Sequence, residues 1–161
     1  MTDKFMSLEV SGLDGVLDTL KALPPEIVSK RGGPVKLALA KGARLLRVAA
    51  AQNLARVIAQ DGADTTGMTL KNLVAGRGKY SGNGEKYVVR VRRKSYTNAK
   101  GAKTNTQRSA SLLEYGAKDQ PATPWLRPAA ESNAQRIVDT VNADLVRRVN
   151  LIVKKLQRAE R

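Results

Sequence analysis

Two long apolar repeats constrain the fold more than any other feature of the sequence. The first repeat comprises Val35, Leu39, Ala43, Leu46, Ala50, Leu54 and Val57, and the second comprises Ala134, Val138, Val141, Leu145, Val149, Ile152 and Leu156. Their spacings of three and four residues match the turn of an α-helix, so each set forms one apolar stripe. The sequence therefore predicts two long amphipathic helices, at about 34–59 and 128–157.

Shorter segments with strand character surround these helices. Alternating or β-branched residues predict strands at 5–10, 69–76, 86–93 and 109–116, and an apolar stripe predicts a further helix at 13–23. Glycines between the second and third strands indicate a turn. The prediction is one α+β domain over residues 1–161, a small, mostly antiparallel sheet of about four strands packed by two long helices.

The segment 95–108 stands apart by its composition. It is rich in Thr, Asn, Lys and Gly and contains almost nothing that could be buried. It is also too long for a tight hairpin turn, and its polar residues cannot offset the entropy of ordering the chain. We therefore expect a mobile basic arm at about 95–108.

The residues that most enzymes use for catalysis are missing. The chain contains no histidine and no cysteine, which excludes disulfides, thiol chemistry and Ser-His or Cys-His nucleophiles. The acidic pairs Asp14/Asp18 and Asp61/Asp64 occupy polar segments that would not perturb a pKa. The glycine-rich stretch 76–86 lacks the Gly-Lys-Ser/Thr of a phosphate-binding loop. We expect no enzymatic activity, no cofactor and no metal site.

The charge is strongly basic and unevenly distributed. Lysine and arginine number 29 against 14 acidic residues, a net charge of +15, and no acid occurs at 27–60 or 86–113. This pattern favours an anionic partner, either acidic protein or a phosphate backbone contacted without sequence reading, since few aromatic residues are available for base stacking. The candidate residues for an interface or a DNA channel are Arg90, Arg92, Lys94, Lys100 and Lys103.

Side chains should alternate between faces along the third predicted strand. Arg90, Arg92 and Lys94 should leave one face, and Val89, Val91 and Arg93 the other. The valines are expected to face the helices and the Arg90 row to face outward.

A proline-rich segment connects the last predicted strand to the last helix. Its residues indicate a strand, a glycine turn, a connection that prolines stiffen and an aromatic side chain fills, and the start of a helix. Trp125 is the sole tryptophan and is expected to be largely buried. The predicted structural anchor consists of Pro124, Trp125, Leu126, Arg127 and Pro128.

The same segment resembles a known family. Glu114-Tyr115-Gly116, a short polar loop and the Pro-Ala-Thr-Pro-Trp-Leu-Arg-Pro-Ala of residues 121–129 are similar to the hallmark of the gene-product-ten-like tail-completion (neck) proteins of lambdoid long-tailed phages. Residues 8–23 resemble that family's opening strand–Gly-Leu–helix, and residues 66–70 resemble its Thr-Gly-x-Leu start of the sheet. The basic segment 95–108 and the basic C-terminal tail depart from the pattern.

The resemblance implies a virion structural protein of the neck or tail, made in the host cytoplasm. Six or twelve copies would form a homo-oligomeric ring at the head–tail junction, which completes the tail, joins it to the head and lines the channel for packaged double-stranded DNA. Its implied neighbours are tail-tube and head–tail adaptor proteins. No apolar run approaches the roughly 20 residues that cross a bilayer, so no membrane contact is expected. The alternative is a free basic protein that binds DNA without sequence specificity.

Overall fold

Long helices and short antiparallel strands make up the described part of the chain, which is Ala22 and residues 33–61, 66–79 and 85–159 of a computed structural model. The fold class is α+β, as predicted. The predicted strand at 5–10 and helix at 13–23 lie outside the described residues, apart from Ala22, which is helical. The elements are α1 (Pro34–Asp61), α2 (Met68–Lys71), β1 (Leu73–Arg77), β2 (Tyr87–Val91), β3 (Ser95–Thr97), β4 (Lys103–Asn105), α3 (Thr106–Tyr115) and α4 (Leu126–Ala159).

The two long helices pack against each other in antiparallel orientation. Ala38, near the start of α1, packs with Leu145 and Val149 in the second half of α4. Towards the other end, the Asn53 side-chain amide donates a hydrogen bond to the Trp125 carbonyl at 3.2 Å. Both helices predicted from the apolar repeats are therefore confirmed, with 28 residues in α1 and 34 in α4.

The helices approach each other closely at Gly42. A Cβ atom at this position would lie 2.5 Å from the Val141 Cγ2 atom and 3.3 Å from the Ile137 Cγ2 atom. Valine is stiff at χ1, so Val141 cannot easily turn away. The absence of a side chain at Gly42 therefore sets the local distance between α1 and α4.

This close approach predicts that Gly42→Ala changes the free energy of unfolding with opposite signs in two backgrounds. In the natural background the helix-propensity gain of about 0.5–1 kcal/mol should be outweighed by an overpacking cost of about 1–3 kcal/mol. In a Val141→Ala background the 2.5 Å clash is removed and only the 3.3 Å contact with Ile137 remains, so the same substitution should stabilise the protein. Urea unfolding of the four variants measures both effects. Equal signs in the two backgrounds would contradict the packing described here.

A hairpin of β1 and β2 covers the second half of α1 and completes the main core. The two strands pair antiparallel, with Leu73 opposite Val91. Val91 is buried and Val89 packs on the core, whereas Arg90 is exposed. The predicted orientation of the valines towards the helices is therefore confirmed. The core consists of Ala50, Leu54, Leu73, Val91, Ala110, Leu113, Trp125 and Ala129.

The strand predicted at 109–116 is wrong, because these residues belong to helix α3. The Asn105 side chain accepts a hydrogen bond from the Arg108 N–H at 3.0 Å, which caps the start of the helix. Gly116, with φ of 75°, ends it, and its N–H donates to the Leu112 carbonyl at 2.9 Å. Two caps and a run of good helix formers outweigh the short apolar pair that suggested a strand.

The segment 95–108 has regular structure that the sequence did not predict, because β3 and β4 form a hairpin that leads into α3. Its mobility stays a prediction. Its turn is built by Asn98, whose side chain accepts the N–H groups of Lys100 at 3.1 Å and Ala102 at 2.9 Å. Gly101 supplies the positive φ, 76°, that the turn requires. Local side chain-to-backbone bonds thus build the turn of a hairpin that has little to bury.

The arrangement of the strands also differs from the prediction. The four strands of the described residues form two separate two-stranded sheets instead of one sheet. The strand predicted at 69–76 begins only at Leu73, because Met68–Lys71 forms a helical turn. The Asn72 side chain donates to the Met68 carbonyl at 2.8 Å and closes that turn.

Candidate functional site

The five predicted cations are all exposed, and we call them together the basic surface: Arg90, Arg92, Lys94, Lys100 and Lys103. Arg90 lies on β2. Arg92 and Lys94 lie in the connection to β3, and Lys100 and Lys103 lie in the β3–β4 hairpin. The predicted alternation holds only as far as Val91, where β2 ends. Arg93 is therefore exposed as well instead of facing the helices.

The backbone beneath the basic surface is held from both sides. On one side the Arg92 N–H donates to the Asn72 carbonyl at 2.9 Å. On the other side Thr106, which is fully buried, accepts the Lys94 N–H at 2.9 Å and donates its hydroxyl to the Arg92 carbonyl. The backbone that carries Arg92 and Lys94 is therefore hydrogen-bonded on both sides, which lowers the entropy lost when these two cations bind a ligand.

The charge of the basic surface is uncompensated within the described chain. Among the residues that the structure describes, none of its five cations forms an ion pair. The first acid after this stretch of sequence is Glu114, which is buried and paired elsewhere. Tyr96, the nearest ring, is hydrogen-bonded through its hydroxyl to Ser109 at 2.7 Å. The surface is suited to contacting a polyanion through charge.

The predicted anchor is assembled around one carboxylate, in a cluster that we call the Glu114 clasp. Glu114 is 4% exposed. Its Oε2 atom accepts the N–H groups of Trp125 and Leu126, both at 2.8 Å. Its Oε1 atom accepts the Arg127 N–H at 3.1 Å and the Arg127 Nε–H at 3.0 Å. The clasp consequently satisfies the unpaired N–H groups at the start of α4 and places negative charge at the positive end of that helix.

The protonation state of Glu114 follows from these contacts. Burial raises the pKa of the carboxyl, but the hydrogen bonds from Leu126, Trp125 and Arg127 outweigh burial and hold the pKa below its ordinary value. Arg127 is further held by the Glu114 carbonyl at 3.1 Å and lies 5.3 Å from the centre of the Tyr115 ring. The carboxylate is therefore ionised at neutral pH.

Trp125 completes the clasp from the core side. It is 2% exposed, and its indole N–H donates to the Ala110 carbonyl at 3.3 Å. The predicted burial of Trp125 is confirmed. Leu126 is half-buried, while Pro124, Arg127 and Pro128 remain exposed at the start of α4. Within the residues that the structure describes, no hydrogen bond or ion pair joins the anchor to the basic surface, so the two are separate clusters.

Sequence reasoning missed two residues that organise these sites. Glu114 appeared only as part of a family pattern, and Thr106 appeared only as one polar residue of a polar segment. A signal existed for Glu114, because α4 begins at Leu126 without a Ser, Thr, Asp or Asn beside it to cap the helix. Such a helix start needs a distant acceptor. No comparable signal marks Thr106.

Neither metal-ligand geometry nor similarity to known proteins identifies the function of these two clusters. Within residues 33–61, 66–79 and 85–159, no group of acidic residues is placed to hold a metal ion. Nor does any helix of the described part combine the length and apolar character needed to cross a bilayer. No protein-family model, curated protein or solved structure matches the chain.

Proposed function

We propose that this chain is a non-enzymatic virion protein of a long-tailed phage, one subunit of a ring that completes the tail and joins it to the head. The proposal starts from the resemblance of residues 112–129 to the tail-completion family. One observation supports it most: Glu114, Trp125 and Arg127, which carry that resemblance, are in contact with one another. The residues of the pattern thus form one structural unit and are not dispersed over the surface.

The basic surface has a use in such a ring. Its exposed cations, two of which stand on hydrogen-bonded backbone, would line the channel or contact a neighbouring ring. DNA that passes through a channel must slide, so contacts to phosphate should be individually weak. Head-to-tail closure of six or twelve copies would also bury apolar side chains such as Val48, which is 49% exposed in the single chain.

Electron microscopy of the purified full-length protein tests the ring directly. Closed rings, alone or on addition of tail-tube protein, are the expected result. Particles that stay monomeric under both conditions would count against the proposal. The technique separates the outcomes clearly, because a monomer of 17.4 kDa is far smaller than a ring of six or more copies.

The alternative, a free DNA-binding protein, is favoured by the same uncompensated basic surface. It predicts tight binding of double-stranded DNA by the isolated protein, with a logarithmic affinity that falls steeply and linearly with the logarithm of salt concentration. The ring proposal predicts weak binding by the isolated subunit together with ordered association with tail proteins. Duplex binding measured at several salt concentrations distinguishes the two.

Reversing the charge of Arg90 and Arg92 should abolish function without unfolding the subunit. Both side chains are exposed, so the double change to Glu removes no packing. Like charges would then face phosphate or an acidic neighbour, and head–tail joining or DNA retention should fail. The yield of infectious particles and the circular dichroism spectrum are the two measurements.

A matched control uses two exposed cations outside the basic surface, Lys118→Glu with Arg136→Glu. This pair changes the net charge by the same amount and should leave particle yield near normal. Normal yield from the Arg90/Arg92 variant as well would show that the basic surface is only a solvated face.

A further inference from the structure

A second group of cations surrounds a buried carboxylate, where the first half of α1 meets the second half of α4. The carboxylate belongs to Asp144, which is 2% exposed. The Lys41 Nζ atom lies 3.0 Å and an Arg147 nitrogen 3.6 Å from its Oδ1 atom, and the Arg148 Nε–H donates to its Oδ2 atom. Three cations therefore share one negative charge.

The buried carboxylate holds two of these cations in place. Burial raises the pKa of Asp144, but the hydrogen bonds and charges of Arg148 and Lys41 outweigh burial and hold the pKa below its ordinary value. Asp144 is therefore ionised at neutral pH and restrains Arg148 of α4 and Lys41 of α1. Restrained side chains lose less entropy when they bind a partner.

An exposed leucine lies beside this cluster. Leu151 follows Asp144 by seven residues, which is two helical turns, so both lie on the same side of α4. Leu151 is 51% exposed. The residues three and four positions away in each direction are its neighbours on the helix surface, and all are basic: Arg147, Arg148, Lys154 and Lys155. We call this surface, together with Lys41 of α1, the Leu151 face.

The cations form two rows with the leucine between them. Helical spacing places Arg147 and Lys154 on one side of Leu151, and Arg148 and Lys155 on the other. Residues 145–159 of α4 contain no acid. Within the part of the chain that the structure describes, neither lysine forms an ion pair. The Leu151 face therefore presents an apolar line bordered by positive charge on both sides.

The complementary surface is an apolar line bordered by negative charge on both sides. An acidic amphipathic helix has this pattern, since its apolar stripe runs between two carboxylate-bearing borders. A phosphate backbone or an extended acidic segment would neutralise the cations but would leave Leu151 without an apolar partner. We propose that the Leu151 face docks an acidic amphipathic helix of a partner protein. This inference does not depend on the proposed ring function.

A designed peptide provides the probe. It is a helix of about five turns, roughly 18 residues, made of leucine, glutamate and alanine, with the leucines on one face and the glutamates along both borders of that face. A second peptide has the same composition with its leucines distributed around the helix. Fluorescence anisotropy with the full-length protein should show that the amphipathic peptide binds and that the redistributed peptide binds severalfold more weakly.

Leu151→Gln tests the apolar line without a change of charge. The substitution should weaken binding of the amphipathic peptide roughly three- to tenfold, because about half of a leucine side chain loses its apolar cover. The matched control is Val146→Gln, which changes another exposed apolar residue of α4, 38% exposed and on a different side of the helix. The control should bind the peptide as the natural protein does.

Lys154→Glu with Lys155→Glu tests the charged borders. Both side chains are exposed, so the pair should stay folded, and binding should weaken roughly tenfold or more. Lys118→Glu with Arg136→Glu changes the net charge equally at exposed positions outside the Leu151 face and should have a much smaller effect. Circular dichroism confirms the fold of every variant.

Several results would overturn the proposal. These are absence of peptide binding, equal binding of the two peptides, and an affinity that Leu151→Gln leaves unchanged or lowers no more than Val146→Gln does. Equal effects of the two charge-reversal pairs would also overturn it. A short DNA duplex or phosphatidylserine vesicles that displace the labelled peptide more effectively than unlabelled peptide does would assign the face to nucleic acid or to lipid instead.

Discussion

Replacing Trp125 by alanine is expected to lower the free energy of unfolding by about 3–5 kcal/mol. The side chain is 2% exposed and belongs to the core cluster that residues of α1, both strands of the first hairpin, α3 and α4 form. Its removal opens a cavity where these elements meet and leaves the Ala110 carbonyl without its indole donor. Chemical denaturation followed by circular dichroism is the measurement, since the substitution removes the only tryptophan and its fluorescence.

A Trp125→Phe variant serves as the control for this prediction. Phenylalanine keeps an aromatic ring in the site but cannot donate to Ala110, so its cost should be well below that of alanine. An unfolding midpoint unchanged by Trp125→Ala would show that the core does not depend on this side chain.

Replacing Glu114 by glutamine should lower the free energy of unfolding by about 2–4 kcal/mol at neutral pH. Glutamine has nearly the same shape, but its amide group would point N–H donors at N–H donors. The start of α4 would lose its charge-assisted bonds, because the one remaining oxygen can accept either from Trp125 and Leu126 or from Arg127, while the NH2 group faces the donors on the other side. Arg127→Gln is the matched control, because the Arg127 side chain is 51% exposed and the three backbone bonds to Glu114 survive its loss.

The pH dependence of the same variant has a definite sign. The folded-state pKa of Glu114 lies below its ordinary value of 4.5. Below pH 4.5 the unfolded chain therefore takes up a proton that the folded chain resists, and the stabilisation is lost as the pH falls through the folded pKa. The gap in unfolding free energy between the natural protein and Glu114→Gln should be full at pH 6 and shrink on acidification. A gap that is constant from pH 6 to pH 3 would contradict the assignment.

The long helices could be predicted from the sequence because their stripes are long. Seven apolar positions at helical spacing outweigh local ambiguity, and both helices were placed within two residues of their observed ends. The orientation of Val89 and Val91 was predictable for a related reason, since alternation leaves a strand only two faces. Burial of Trp125 followed from its size and its stiff surroundings.

The predictions that were wrong concern elements whose structure depends on single side chains. The segment 95–108 lacks an apolar pattern, so its order depends on Asn98 and on the buried Thr106, whose effects are invisible to periodicity. The apolar pair Leu112-Leu113 fits a strand and a helix equally well. Only the caps at Asn105 and Gly116 decide in favour of the helix, and caps are short signals that many loops also contain.

The Glu114 clasp was unpredictable as a contact for a different reason. Its partners lie 11 to 13 residues away, across a turn that Gly116 makes possible. A Cβ at Gly116 would lie 2.8 Å from both the Ala122 nitrogen and the Gln120 oxygen, so only glycine fits. The sequence contained the required residues, but their meeting depends on the path of the connecting loop.

The uncompensated charge has a consequence for how copies of this chain meet. Two molecules that present mainly cations repel each other, and at an ionic strength of 0.1 M this repulsion extends over about 10 Å. Added salt shortens that range, so self-association should strengthen with salt while attachment to a polyanion weakens. The two equilibria thus respond in opposite directions to one variable. For the proposed ring, low ionic strength should therefore keep the copies apart until an acidic surface gathers them, so repulsion between identical copies would prevent premature assembly.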